Sequence, residues 1–286
     1  MPDALPRGVQ AAPPASAADI ARLAVRSLYQ ELALYPKPGL VSLVDNGSHD
    51  DMDATTFVRS LFALRRYFHD IAGAGARGDG FDVLRRLGID AEQRMLAATG
   101  GINTHRGAIF ALGLLCAAAG RTGAGAPPGH LRAALLDAWG GALAAHGGRR
   151  ASHGAQARAR YAAAGAREQA AAGFPAVFDL ALPVLARTLA AGRGMRCARI
   201  DALFVLMAEL SDTNVLHRGG ADGARIVRDT ALRFVARGGT AAPDWRADAE
   251  AAHRMFVRHR LSPGGAADLL AATSFVHALA AGKASP

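Results

Sequence analysis

The chain has almost no lysine. Of its 33 basic residues only Lys37 and Lys283 are lysine, and every other one is arginine. Replacement on that scale reflects genomic composition rather than function. It does draw attention to Lys37, the one lysine outside the C-terminal tail. Cysteine is equally scarce: Cys116 and Cys197 stand alone in apolar helical context. Two isolated cysteines make neither a disulfide framework nor a metal-binding array, so both are expected buried and reduced, in a reducing compartment. No stretch reaches the roughly 18 uninterrupted apolar residues of a membrane span. Residues 1–18 are Ala/Pro-rich without an apolar core, which excludes a signal peptide and leaves a segment expected to be disordered. Runs of alternating Val, Ile and Thr bounded by turns are missing, which argues against strands. So are the P-loop pattern and a Rossmann fingerprint after a strand. A nucleotide would have to bind at helix termini instead.

What remains is an alanine-rich chain of 286 residues, 51% hydrophobic and of net charge +9. That length suffices for a sizeable core, and the charge points to a polyanionic ligand. Apolar stripes recur at helical spacing. Ile20, Leu23, Ala24, Leu28 and Leu32 follow Asp19, an expected N-cap. Phe57, Leu61, Leu64 and Phe68 follow a cap near Thr55, and Ile200, Leu203, Met207 and Leu210 form a third stripe. Further helices are expected near 90–98, 106–119, 131–146, 155–172, 176–191, 220–237, 244–259 and 265–281. Pro183 should kink or split its helix. The predicted fold is all-α, a single globular multi-helix domain over 19–283 with active-site loops at helix termini.

Several polar, Gly-rich segments interrupt this scaffold, as binding loops do. The first runs from Tyr35-Pro36-Lys37-Pro38-Gly39 to Asp53. Two prolines fix the backbone around Lys37, whose compact charge suits phosphate. Asp45, Asp50, Asp51 and Asp53 cluster with His49, and hard oxygen ligands at that density suit Mg²⁺ carried by a nucleotide. One of these aspartates is needed only to cap the helix near Thr55. Upstream, Glu31 falls on the apolar stripe of the first helix, where a carboxylate must be paired, liganded or shifted in pKa.

The second segment, Ala98 to Ala108, closes one helix and opens the next. Gly100 and Gly101 permit a tight turn, the following helix N-terminus offers an anion site, and Asn103, Thr104, His105 and Arg106 add polar groups. Read conservatively, it is a well-capped helix–turn–helix. A third, weaker one is Ser152-His153-Gly154 with Arg158 and Arg160. A fourth, Glu209 to Gly220, gathers Asp212, Asn214, His217, Arg218, Gly219 and Gly220 at a helix end; a Schellman terminus explains Gly219 alone. In the fifth, Leu261 to Leu270, Ser262 reads as N-cap and Pro263 as first helical residue. Gly264 and Gly265 cost that helix about 1 kcal/mol each relative to alanine. They make sense where something bulky and anionic approaches the backbone.

Together, PKPGLVSLVDNGSHDDMD, ATGGINTHRGAIFALGLLCAAAG, ELSDTNVLHRGG and LSPGGAADLLA resemble the triphosphoribosyl-dephospho-CoA synthases, from about Ile20 to His277. The chain departs at Arg106, where the family often has lysine; both are cationic. The resemblance implies a cytoplasmic enzyme with ATP and 3'-dephospho-CoA as substrates and no nucleic-acid or membrane partner. The 2'-hydroxyl of dephospho-CoA attacks C1 of the ATP ribose, and adenine leaves. The product, 2'-(5''-triphosphoribosyl)-3'-dephospho-CoA, passes to a carrier-protein transferase serving malonate decarboxylase or citrate lyase.

Such a reaction builds oxocarbenium character at C1. Glu31 or Asp212 is expected as base, and His105 or His217 as partner of departing adenine. Asp45, Asp51 and Asp53 would hold Mg²⁺. Lys37, Gly39, Gly100, Gly101, Asn103, Thr104, Arg106, Asn214, Arg218, Gly219, Gly220, Ser262, Gly264 and Gly265 would bind nucleotide and phosphate. One rival is an HD-type metal-dependent phosphohydrolase, prompted by His49-Asp50 and His69-Asp70. Another is a non-enzymatic nucleic-acid-binding helical protein, prompted by the charge.

Overall fold

The computed structural model describes residues 16–123, 125–146 and 165–282. Ser152-His153-Gly154, Arg158, Arg160 and most of the helix expected over 155–172 lie outside them. So does nearly all of the N-terminal segment.

Among the described residues the fold is all-α, with no strand. The first helix, α1 (Ala17–Leu32), starts three residues earlier than the periodicity suggests. Ser16 is its N-cap and accepts from the Asp19 N–H, while Asp19 accepts from the Ser16 N–H. Asp19 is therefore the distal half of a capping box rather than the cap. The second, α2 (Ala54–Arg77), is capped by Asp53, whose Oδ1 accepts from the Thr56 N–H at 2.8 Å. Then come α3 (Phe81–Ala98), longer than expected, and α4 (Arg106–Thr122). Next, α5 (Pro128–Leu135) runs through a π-helical turn (Leu136–Gly140) into α6 (Gly141–His146).

Residues Gly165–Ala171 form α7. A π-helical turn (Ala176–Ala181) then leads into α8 (Leu182–Ala190). Pro183 sits where the two join; having no N–H, it cannot complete an α ladder there. α9 (Gly194–Glu209), α10 (Thr213–Ala236), α11 (Trp245–Arg258) and α12 (Gly264–Ala280) complete the chain. The expected start near 220 corresponds to a break inside α10, where Gly220 has φ 60° and ψ −158°.

α1, α2, α4 and α12 pack on one another, and α9 packs against α8, α10 and α12. One contiguous apolar core runs from α1 to α12. Small residues set its spacing. A side chain on Gly75 of α2 would collide with the Ala117 carbonyl of α4, and one on Gly120 with the Ala72 carbonyl. The two helices therefore approach backbone to backbone. No single helix among the described residues is long and apolar enough to cross a membrane.

Candidate active site

The N-termini of α4, α10 and α12 meet at one point, beside the C-terminal end of α1. Asp212 makes this junction. Its Oδ1 accepts from the N–H groups of Asn214 (2.9 Å) and Val215 (3.4 Å), capping α10. Its Oδ2 accepts from the Ala266 N–H of α12 at 3.1 Å. Gly264 and Gly265 are small because of this contact. A Cβ on Gly265 would lie 3.0 Å from Asp212 Oδ2, and one on Gly264 would lie 2.8 Å from Asn214 Nδ2. The approaching anion that the glycine pair signals is thus the protein's own carboxylate. Both Asp212 oxygens hold backbone N–H groups, which suits a clamp between helices better than the expected base.

Asp268, on α12, joins the third helix to this junction. Its carboxyl occupies the space that a side chain on Gly107 would need, and it accepts from the Ala108 N–H of α4. Burial and the charges of Glu31 and Asp212 push Asp268 well above the ordinary carboxylate range. Nothing in the sequence singles it out: it reads as one polar residue near the start of a helical segment.

Glu31 comes from the last turn of α1, 5% exposed, and Lys37 from the following loop, 1% exposed. Lys37 Nζ donates to Glu31 Oε1 at 2.6 Å. Burial raises Glu31, with the Lys37 charge pulling it back, and burial lowers Lys37 against the opposing effect of Glu31. Lys37, expected to bind phosphate, is committed to this buried pair.

His105, the N-cap residue of α4, is 3% exposed. Its Nδ1 lies 2.7 Å from Ser60 Oγ, and its ring stands edge-on to Phe57. Burial first, then the Lys37 charge, lowers its pKa to about 3. The imidazole is neutral at physiological pH, so it can hydrogen-bond adenine but cannot serve as an imidazolium acid. Its Nε2 and the neighbouring Thr104 Oγ1 are buried with no hydrogen-bond partner. Unsatisfied buried polar atoms are costly, and a bound ligand could satisfy this pair.

The loop from Lys37 to Asp53 is pinned over the junction. Ser48 Oγ donates to the Leu261 carbonyl at 2.6 Å, and His253 Nδ1 lies 3.1 Å from the Lys37 carbonyl. Gly39 passes so close to the Leu261 carbonyl that a Cβ would collide with it. Arg218 donates to the Ser48 carbonyl and to His49 Nδ1, each at 2.9 Å. Since a guanidinium can only donate, Nδ1 is the acceptor and His49 Nε2 carries the proton toward Ser262 Oγ, 2.8 Å away. Ser262 is therefore not the N-cap of α12; Pro263 holds that place, and the helix begins at Gly264.

The three aspartates expected to hold Mg²⁺ are dispersed. Asp45 accepts from the Gly47 N–H and pairs with His253 Nε2 at 3.2 Å. Asp51 is exposed beside His49. Asp53 is the cap of α2. Among the described residues no three His, Cys, Asp or Glu side chains converge to hold a metal ion. Asp45, Asp51 and Asp53 therefore do not converge on one point as the sequence suggested. Among the described residues His69 pairs with Asp70, and Asp70 also with Arg66, on α2.

The remaining expected residues form a rim. Asn103 Oδ1 accepts from the Arg106 N–H, and the Arg106 guanidinium pairs with Glu92. Gly100 and Gly101 have φ of 69° and 91°, and a side chain on either would face open space. Gly219 packs against Leu261, where a Cβ would lie 2.5 Å from the leucine side chain, and Gly220 is exposed. His217 is exposed on the first turns of α10, away from the buried cluster.

The family model for ATP:dephospho-CoA triphosphoribosyl transferase matches residues 17–286. A protein from Acinetobacter calcoaceticus named "Probable 2-(5''-triphosphoribosyl)-3'-dephosphocoenzyme-A synthase" is 42% identical over 89% of this chain and 88% of its own. The 2-(5''-triphosphoribosyl)-3'-dephosphocoenzyme-A synthase of Pectobacterium atrosepticum is 39% identical over 89% of this chain and 87% of its own. A relative in Vibrio cholerae is 35% identical over 91% of this chain. No solved structure matches. With nearly its whole length matched, including every helix that builds the acid cluster, the chain belongs to the ATP:dephospho-CoA triphosphoribosyl transferase family.

Proposed function

We propose that the acid cluster at the ends of α4, α10 and α12 is where this transferase moves the triphosphoribosyl unit of ATP. The acceptor is the 2'-hydroxyl of 3'-dephospho-CoA, and adenine is released. The observation that carries this reading is the excess of acid: the charges of Glu31 and Asp212 both act on Asp268, while the nearby cation Lys37 is paired with Glu31. Leaving-group departure makes the ribose carbon positive. Fixed negative charge in a water-poor site stabilises that charge without reorganising.

The same charge repels phosphate. The triphosphate therefore lies outward, toward the Arg218 and Arg106 guanidinia and the open face of Gly100 and Gly101. Mg²⁺ belongs to the substrate, as MgATP. The unpartnered His105 Nε2 and Thr104 Oγ1 would hydrogen-bond the purine or the ribose. Two unpaired cysteines, Cys116 buried and Cys197 partly so, and ATP as substrate support a cytoplasmic setting. The product would then pass to a separate transferase that loads a carrier protein.

Mass spectrometry of the product tests this. The expected product is dephospho-CoA enlarged by ribose and all three ATP phosphates. Inorganic phosphate or pyrophosphate formed in its place would contradict the reading and return the hydrolase alternative.

A further inference from the structure

We propose that Asp268 is the catalytic base, the carboxylate that takes the proton from the attacking 2'-hydroxyl. The proposal rests on the transferase reading above, and three observations single out this residue among the acids of the cluster.

The first is hydrogen-bonding capacity. Glu31 is held by Lys37 at 2.6 Å. Asp212 has backbone N–H groups on both oxygens. Asp268 has only the Ala108 N–H and no cation. An ionised carboxylate offers about four lone-pair sites, so Asp268 keeps most of its acceptor capacity for a substrate hydroxyl.

The second is access. Glu31 is 5% exposed and Asp212 7%. Asp268 is the least covered of the three, of intermediate burial. It is the acid that a substrate can touch.

The third is that the fold makes room for it at a cost. Asp268 is the one acid on α12, whose buried residues are otherwise apolar apart from Thr273 and Ser274. Asp268 lies inside the helix, where it caps nothing of its own. Gly107 has given up its side chain to seat the carboxyl. Protein packed around it, together with the charges of Glu31 on α1 and Asp212 on α10, holds its proton more tightly than water would. That makes it a stronger base than a free carboxylate. The other charged group of the cluster, Lys37, faces Glu31 and His105 instead.

In the step, the bond from C1 to the purine nitrogen breaks and its electron pair leaves with adenine, which takes a proton from water. The bond from C1 to the 2'-oxygen forms. The hydroxyl proton moves to Asp268 and is later returned to water.

The test compares adenine release by the wild type, Asp268→Asn and Asp268→Ala at saturating ATP and dephospho-CoA. Expected is a fall in kcat of about 10²–10⁴-fold, KM values within a few-fold, and partial recovery of Asp268→Ala by added formate. If either variant fails to fold, the wild-type pH profile of kcat/KM decides: an acid limb above the ordinary carboxylate range supports the base, and its absence overturns it. Asp268→Asn within tenfold of wild type, or Asp268→Ala unmoved by formate, overturns Asp268 alone. Failure of the wild type to release adenine overturns the transferase reading instead.

Discussion

Lys37 Nζ and Glu31 Oε1 meet at 2.6 Å across the end of α1, both almost wholly buried. Breaking such a pair leaves one charge unpaired in a poor solvent, while replacing both partners by apolar groups does not. Lys37→Met is expected to lose about 3–5 kcal/mol of unfolding free energy. The double variant with Glu31→Met should recover most of it. Urea denaturation of the three proteins checks this; a double variant no more stable than Lys37→Met would show that the pair does not govern the local fold.

Asp212 ties α10 to α12 through three backbone N–H groups. Removing it deletes an N-cap and leaves buried donors open. Asp212→Ala should lower stability by about 2 kcal/mol. A thermal scan within one degree of wild type would contradict the clamp.

His105 is neutral in the folded protein, with its pKa at about 3, against about 6.5 in an unfolded chain. Between these values the unfolded state binds more protons. The group's contribution is fully present above pH 6.5 and is lost as pH falls toward 3. His105→Gln should therefore flatten the acid side of the stability curve. Denaturation midpoints of both proteins between pH 7 and 4 measure it, and parallel curves would argue against a buried neutral imidazole.

Asp268 has the opposite sign. Its folded pKa is raised above the ordinary value of 3.8, so in that window the native state binds the extra proton and stability falls as pH rises. Asp268→Asn removes the penalty. The variant is expected to be more stable than wild type at neutral pH, with the difference vanishing toward pH 4. A stabilised but inactive protein is the mark of a residue kept for function. Lower stability at every pH would make Asp268 structural.

The sequence reveals most helices because alanine-rich stripes at 3.6-residue spacing leave little choice. Caps are less legible. The cap expected near Thr55 is Asp53, but Asp19 lies three residues past the N-cap Ser16 and Ser262 one residue before Pro263, since several neighbouring polar side chains could serve and geometry selects one. The site segments do converge, yet their residues change roles. Gly264 and Gly265 make room for Asp212 and Asn214. Asp45, Asp51 and Asp53, dense in sequence, point to three different tasks. Asp268, His49 and His253 acquire key partners from segments far away in sequence. Glu31 was legible because a carboxylate on an apolar stripe signals itself.

The most direct measurement is adenine release by chromatography, with ATP, dephospho-CoA and Mg²⁺ present and each omitted in turn. The account predicts adenine only when both nucleotides are present, in step with loss of dephospho-CoA. Adenine from ATP alone, or phosphate without adenine, would contradict it.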